Sequence, residues 1–514
     1  MCLPGSPDYT TLDARTARLG STRPAWRIRT PGTILVGVAN DFPFVLAGKP
    51  TRSSDPLTVR NPFDGSPAGQ TWLAGDPEFD LAADAAVAAA PVMRALPAHE
   101  RATILMRASA ELRRRREEIA RTLAAEAGKP LKDALIETDR AALTFHVAAD
   151  EARRPAGDVV PMDLAPHGTG RLAIVKRVPI GPVAAISPFN FPLNLTAHKI
   201  APAIAAGNPI VVKPATKTPL SAITLADILV RAGLPGGAIS VLPMARTTGD
   251  RLVTDERFKL LTFTGSSSVG WGMKARAGKK KVILELGGNA GVIVDDTADV
   301  RFAASRVAAG GFGFAGQSCI SVQRVYVHDR VFDEFTSTLV ELVAALKVGD
   351  PLDAATDVGP MIEESEAERI ETWVQEAVAA GARVLTGGQR LSGAFYAPTL
   401  LTDVPADARV CAQEVFAPVV VLARFSSFES ALQEVNRSTY GLQAGVFTSN
   451  LERSLQAFDT LEVGGVLVND VPTWRIDNMP YGGVKDSGLG REGPKYTIEE
   501  MTEPRLLVIN RRPL

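Results

Sequence analysis

The rhythm of apolar and polar positions changes near residue 170. Upstream, residues 78–127 carry apolar side chains at steps of three and four, in DLAADAAVAAAPVMRAL and RATILMRASAELRRRREEIARTLAAEAGKP. That spacing predicts helix, with Gly128 and Pro130 as stop signals. LKDALIETDRAALTFHVAADEARR continues the pattern. Downstream, short apolar runs alternate with helical ones. VAAIS (183–187), IVVKP (210–214), ISVLP (239–243), LLTFTG (260–265) and VILELGG (282–288) recur at about one strand–helix unit. Such alternation predicts a parallel, doubly wound α/β sheet, which binds ligands at the carboxyl ends of its strands. Asn190, Lys213, Gly265, Ser266 and Glu285 collect at those ends. A second series follows, with GVIVDD (291–296), ISVQRVYVH (320–328), ARVLTGG (382–388), PVVVLARF (418–425) and GGVLVND (464–470), and predicts another α/β unit. RLLVINR (505–511) reads as a strand far from any partner in sequence, so it is expected to pair elsewhere, for instance on a partner subunit.

Composition narrows the function. A chain of 514 residues exceeds one ordinary domain. Its 56 basic and 57 acidic residues give no basic excess of the kind nucleic-acid binders carry. The run RRRR at 113–116 precedes Glu117 and Glu118 on an amphipathic pattern, so a solvated helix face is expected. No run reaches the ~18 apolar residues of a membrane span. Residues 1–40 are irregular and arginine-containing, without a secretory pattern. Three cysteines make no disulfide framework and fit a reducing cytoplasm. The five histidines form no zinc spacing, so no metal site is expected.

GFGFAGQSCISVQR (311–324) sets Cys319 beside Gly310, Gly311, Gly313 and Gly316. The thiol could be inert filler or a nucleophile, and a free thiol of pKa about 8.5 needs an activator. The glycines are expected to thin the surroundings for a ligand. In LELGG, Glu285 could be a salt-bridge partner or a general base. FTGSSSVG (263–270) is neither GxGxxG nor a P-loop, but a strand–Gly–Ser–helix junction presents free amides that suit a pyrophosphate. Cys411 has no such setting and reads as structural.

SPFNFPLNL, IVVKPATKTP, FTGSSSVG, ELGGN, GQSC, EVFAPV and MPYGGVKDSGLGRE occur in this order. Together, over residues 45–514, they resemble the aldehyde dehydrogenase superfamily, most closely the branch of lactaldehyde, phosphonate-aldehyde and non-phosphorylating glyceraldehyde-3-phosphate enzymes. The resemblance implies Cys319 as nucleophile, Asn190 as oxyanion donor, Glu285 as the base for thioester hydrolysis and Glu492 as a proton-relay carboxylate. It implies NAD or NADP bound by Ser187, Pro188, Phe189, Lys213, Gly265, Ser266, Gly270, Leu286, Glu414 and Phe416. Many NAD-preferring members carry glutamate where this chain has Thr216, followed by Lys217. Threonine removes repulsion of a 2′-phosphate and Lys217 could attract one, so NADP is expected to be accepted. Arg475, in NDVPTWRIDNMPYGG, is a candidate anion anchor or a salt-bridge partner of Asp477. Some anion-specific relatives have arginine before the cysteine, where this chain has Ser318, so Ser318 joins Arg475 and Asn190 as an expected substrate contact. A small polar, possibly anionic aldehyde is expected, with transfer to coenzyme A as the alternative outcome and a non-catalytic relative as a third.

The implied architecture is a Rossmann-type cofactor domain (41–156 and 180–287), an α/β catalytic domain (288–490) and a β oligomerisation arm (157–179 and 495–514), after an N-terminal extension (1–40). A homodimer or homotetramer is expected.

Overall fold

The computed structural model describes residues 41–154 and 157–511, so the expected extension 1–40 lies outside the described residues. Its first sheet runs in the order Lys49–Thr51, Phe44–Leu46, Ile239–Val241, Ile210–Lys213, Val183–Ile186, Leu260–Thr264, Lys281–Glu285, Gly488–Leu489. The five strands from 183 to 285 are mutually parallel. In chain order they lie 3-2-1-4-5, so the order reverses between Val183–Ile186 and Leu260–Thr264. Ligands of doubly wound sheets bind at such a switch point. Ser187 and Pro188 follow the first of these strands, and Gly265 and Ser266 the second.

The second sheet runs Arg383–Thr386, Thr399–Thr402, Val419–Phe425, Val322–His328, Ala290–Val294, Gln443–Phe447, Gly465–Val468, all parallel but the first. The strands Thr399–Thr402 and Gln443–Phe447 extend the expected series. The chain leaves the first sheet at the carboxyl end of Lys281–Glu285 and enters the second at the amino end of Ala290–Val294 through four residues, Leu286–Asn289. Each sheet is sealed by its own apolar core.

The expected helical stretch 78–127 is three helices, Asp76–Ala95, Ala98–Arg114 and Arg116–Ala127. Pro97, with no N–H to donate, stands at the first break and Arg115 at the second. The arginine run straddles that second break. Arg114 pairs with Glu111, Arg115 with Glu118 and Arg116 with Asp139, as a solvated face should. The terminal strand Thr502–Asn510 differs from expectation, because it finds a partner within the chain. It pairs antiparallel with Arg171–Pro179 over its whole length, and Gly157–Val160 closes this three-stranded sheet on the other side. Its outer edge stays open, with Leu506, Leu507, Val508 and Ile509 exposed.

Candidate active site

The site assembles where the carboxyl edge of the first sheet meets the amino edge of the second. Cys319 lies just before Val322–His328, in a loop bent by three successive left-handed residues, Phe314 (φ 48°), Ala315 (φ 53°) and Gly316 (φ 69°). Only Gly316 adopts that conformation without steric cost. The glycines differ from the expected role of opening access. A side chain on Gly310 would strike Thr473 and Val471, one on Gly311 would strike Val420, and one on Gly316 would strike the Ala417 carbonyl. They are small for packing, and only Gly313 faces open space. Gln317 pins the loop: it is buried, donates to the Phe314 and Pro360 carbonyls, and accepts from the Ile362 N–H.

The Cys319 thiol is half-buried and so remains reachable. Burial pushes its pKa up to about 12, and a hydrogen bond with the Tyr481 hydroxyl at 2.9 Å works against that rise. Asn190 is buried and donates one amide N–H to the Gln317 carbonyl at 3.0 Å, beside the cysteine. The Cys319 backbone N–H has no hydrogen-bond partner among the described residues. The Asn190 amide is thus held at the residue two before Cys319, while the Cys319 N–H is uncommitted.

Glu285 is buried, and neither carboxyl oxygen has a hydrogen-bond partner. Burial first, and the Glu492 charge second, raise its pKa well above the ordinary carboxyl range. A side chain on Gly482 would come within 2.9 Å of its Oε1, so a glycine is required there. Glu492 accepts from Lys199 and from Arg475, both at 3.4 Å. Burial alone would raise its pKa, but Lys199, His198 and Arg475 beside it outweigh burial and hold Glu492 below the ordinary carboxyl range. Lys199 also donates to Thr262 and Thr264.

Arg475 does not pair with Asp477. Its side chain is 4 % exposed, stacks over the Tyr481 ring at 3.7 Å, and leaves Nε without a partner. Asp477 is engaged elsewhere, by Arg140, His198 and Asn194.

The residues expected to hold the cofactor fit that task. Glu414 rests on the Gly288 N–H at 2.9 Å, and a Cβ on Gly287 would strike its carboxylate. Burial pushes Glu414 up to about 7. Phe416 (φ 49°) meets Phe189 edge to face at 5.8 Å. The Lys213 stem lies against Gly249, where a Cβ would strike it, and its ammonium has no carboxylate partner among the described residues. Gly265 and Ser266 open the helix Ser267–Arg276, and Gly270 makes room for Leu286. Thr216 is half-buried. Lys217 is exposed, and its ammonium is paired with Glu363. Ser318 lines a recess with Glu414 and Phe416, and Arg475 is not among the lining residues.

Several participants escape a sequence reading: Tyr481, Arg140, and the buried pair Lys129–Glu137. Lys129 donates to the Asn190 carbonyl at 2.7 Å and lies 3.7 Å from the Phe191 ring and 4.5 Å from the Phe314 ring. Glu137 accepts from the Leu193 and Asn194 N–H groups, capping the helix Asn194–Ala206. A signal existed for His198 and Lys199. They interrupt a helix that is otherwise almost wholly apolar, where a polar side chain must have a partner.

Comparison with known proteins agrees with this geometry. A model of the aldehyde dehydrogenase family matches residues 50–507. The chain is 45 % identical over 459 residues to a 3-sulfolactaldehyde dehydrogenase of Priestia aryabhattai, covering 89 % of this chain and 96 % of that protein. Among solved structures, aldehyde dehydrogenase 21 of Physcomitrella patens, in complex with the reaction product succinate, shares 50 % identity at a TM-score of 0.90, over 92 % of this chain and 99 % of that one. A glyceraldehyde-3-phosphate dehydrogenase of Methanocaldococcus jannaschii complexed with NADP shares 41 % identity at a TM-score of 0.85, over 88 % and 99 %.

Proposed function

The chain belongs to the aldehyde dehydrogenase family, an NAD(P)-dependent enzyme family that oxidises aldehydes, and we propose that this member acts on a small aldehyde bearing an anionic group. The observation that carries the substrate class is Arg475: a buried guanidinium beside the nucleophile's own hydrogen-bond partner, with an unpartnered Nε. Guanidinium matches carboxylate or sulfonate as a fork. The relatives that act on sulfolactaldehyde or carry succinate support the same class.

In this reading the Cys319 sulfur attacks the aldehyde carbon, and the Asn190 amide and Cys319 N–H receive the developing oxyanion. Glu414 and Phe416 would hold the nicotinamide end of the cofactor, Ser187, Pro188 and Phe189 the adjoining wall, Gly265, Ser266 and Gly270 the pyrophosphate, and Lys213 the adenine ribose. Bound there, the nicotinamide would supply the hydride acceptor, and Cys319 would then carry the acyl group as a thioester. Glu285, once ionised, takes a proton from the water that attacks that thioester. Glu492 and Lys199 lie in the same buried cluster and can carry the proton onward. The presence of Glu285 weighs against transfer to coenzyme A. NADP is accepted in this reading, because Thr216 offers a 2′-phosphate no repulsion.

The first sheet would serve as the cofactor domain, the second as the catalytic domain, and the open edge of Thr502–Asn510 as the arm that joins a second copy. The free thiols of Cys319 and Cys411 fit a reducing cytoplasm. The test of function is cofactor reduction across 3-sulfolactaldehyde, succinate semialdehyde, lactaldehyde, glyceraldehyde 3-phosphate and hexanal. Cys319→Ala should abolish turnover. Arg475→Met should cut kcat/KM for the anionic aldehydes by about 10²-fold, with far less effect on lactaldehyde. Preference for hexanal in the wild type would overturn the substrate reading.

A further inference from the structure

The hydroxyl of Tyr481 is buried, and its hydrogen-bond partner among the described residues is the Cys319 sulfur, at 2.9 Å. Three constraints fix it there. The Tyr481 backbone exchanges two hydrogen bonds with Glu492, N–H to carbonyl in both directions, at 3.0 and 2.6 Å. Arg475 covers one face of the ring at 3.7 Å. Ile320 and Leu442 pack around it in a small apolar cluster that includes Cys319. A phenol held this tightly against a nucleophile has a chemical consequence. A thiolate is a charged acceptor, and a hydrogen bond to a charged group is about twice as strong as one to a neutral group. Nothing else within reach of the sulfur donates to it among the described residues.

We propose that Tyr481 is a catalytic residue that donates its hydroxyl hydrogen to Cys319 and so raises the fraction of reactive thiolate. The proposal rests on Cys319 being the nucleophile. The thiol gives its proton to solvent water. The sulfur lone pair then forms the C–S bond while the carbonyl π pair moves to oxygen, and Tyr481 keeps its proton throughout. The hydrogen bond also makes the sulfur less nucleophilic, so the two effects must be weighed. Favouring the thiolate by a factor of about 10 to 100 lowers intrinsic reactivity by the power 0.4–0.5 of that factor. Where nearly all of the sulfur is protonated, the net gain is about 3- to 16-fold.

The test is the rate at which iodoacetamide alkylates Cys319, followed on its peptide by mass spectrometry, in wild type and Tyr481→Phe. The expected rate in Tyr481→Phe is about 3- to 16-fold lower at every pH from about 7 to 9, with a matching fall in kcat/KM. An unchanged rate would overturn the proposal and reduce Tyr481 to packing. A faster rate would overturn it too, because the hydroxyl would then be accepting from the thiol. If Tyr481→Phe folds poorly, 3-fluorotyrosine at position 481, a stronger donor, should raise the alkylation rate, and no change would count against the proposal. Should Cys319→Ala retain turnover, the nucleophile assignment fails by itself, independently of the Tyr481 result.

Discussion

Replacing Lys129 by Met should damage stability and catalysis together, because one buried ammonium braces the Asn190 backbone and the Phe314 ring in the loop before Cys319. Lys129 and Glu137 are both fully buried. Burial pulls the Lys129 pKa down, and the Glu137 charge opposes that fall. Removing one partner of a buried pair costs about 3–5 kcal/mol, because the other charge is stranded. Here the lower end applies. Glu137 keeps two backbone N–H donors, from Leu193 and Asn194, which continue to solvate its carboxylate. Catalysis should suffer because the Asn190 carbonyl loses its anchor at 2.7 Å and the Phe314 ring loses the cation beside it. Deleting an oxyanion donor outright costs about 10²–10³ in rate, so a displaced one should cost about tenfold. The assay is urea unfolding followed by tryptophan fluorescence, with kcat and KM measured on the same preparations. Glu137→Gln keeps an acceptor for the two N–H groups while removing the charge. The double variant should therefore lose about 2 kcal/mol less than the sum of the singles. A loss under about 1 kcal/mol in Lys129→Met, or strict additivity in the double variant, would refute the brace.

Burial and Glu492 raise the Glu285 pKa above the ordinary carboxyl range, so hydrolysis-limited kcat should keep climbing with pH beyond the range where an ordinary carboxyl has ionised; Glu285→Gln should flatten that limb. Glu126, wholly buried beneath the Leu220 and Ser221 N–H groups, is pushed up to about 7 by burial. A carboxyl raised in the folded state ionises first in the unfolded chain. Its stabilising contribution is thus complete below about pH 4.5 and is lost as pH rises to about 7, a cost of about 3 kcal/mol. Glu126→Gln should remove that slope from urea midpoints compared at pH 5 and pH 8. Thr216→Glu should lower kcat/KM with NADP about 10²-fold relative to NAD through like-charge repulsion, whereas Lys217→Met, already committed to Glu363, should shift the ratio less than about threefold.

Local chemistry was legible wherever one short segment holds it. The strands Val183–Ile186, Ile210–Lys213 and Leu260–Thr264 announce themselves as short apolar runs, each ending at or just before a glycine or proline. Cys319, Glu285 and Glu414 sit in motifs whose order along the chain points to the family. The residues missed are those whose meaning arises from long-range pairing. Arg140 meets Asp477 across 337 positions and His198 meets Asp477 across 279, and no local pattern encodes either contact. Lys129 stands between Gly128 and Pro130, two stop signals that describe the end of a helix and say nothing of a buried ammonium. The glycines before Cys319 misled for the opposite reason. A glycine that admits a ligand and one that admits Val420 or the Ala417 carbonyl look alike until the fold brings the neighbour in.

The central claim is that Cys319 carries the substrate as a thioester that Glu285 helps to hydrolyse. Rapid-quench mass spectrometry of Glu285→Gln, mixed with succinate semialdehyde and NADP, tests it most directly. The account predicts a succinyl adduct that accumulates on the Cys319 peptide while cofactor reduction stops after one turnover. Continued turnover with Cys319 unmodified, or an adduct on another side chain, would contradict it.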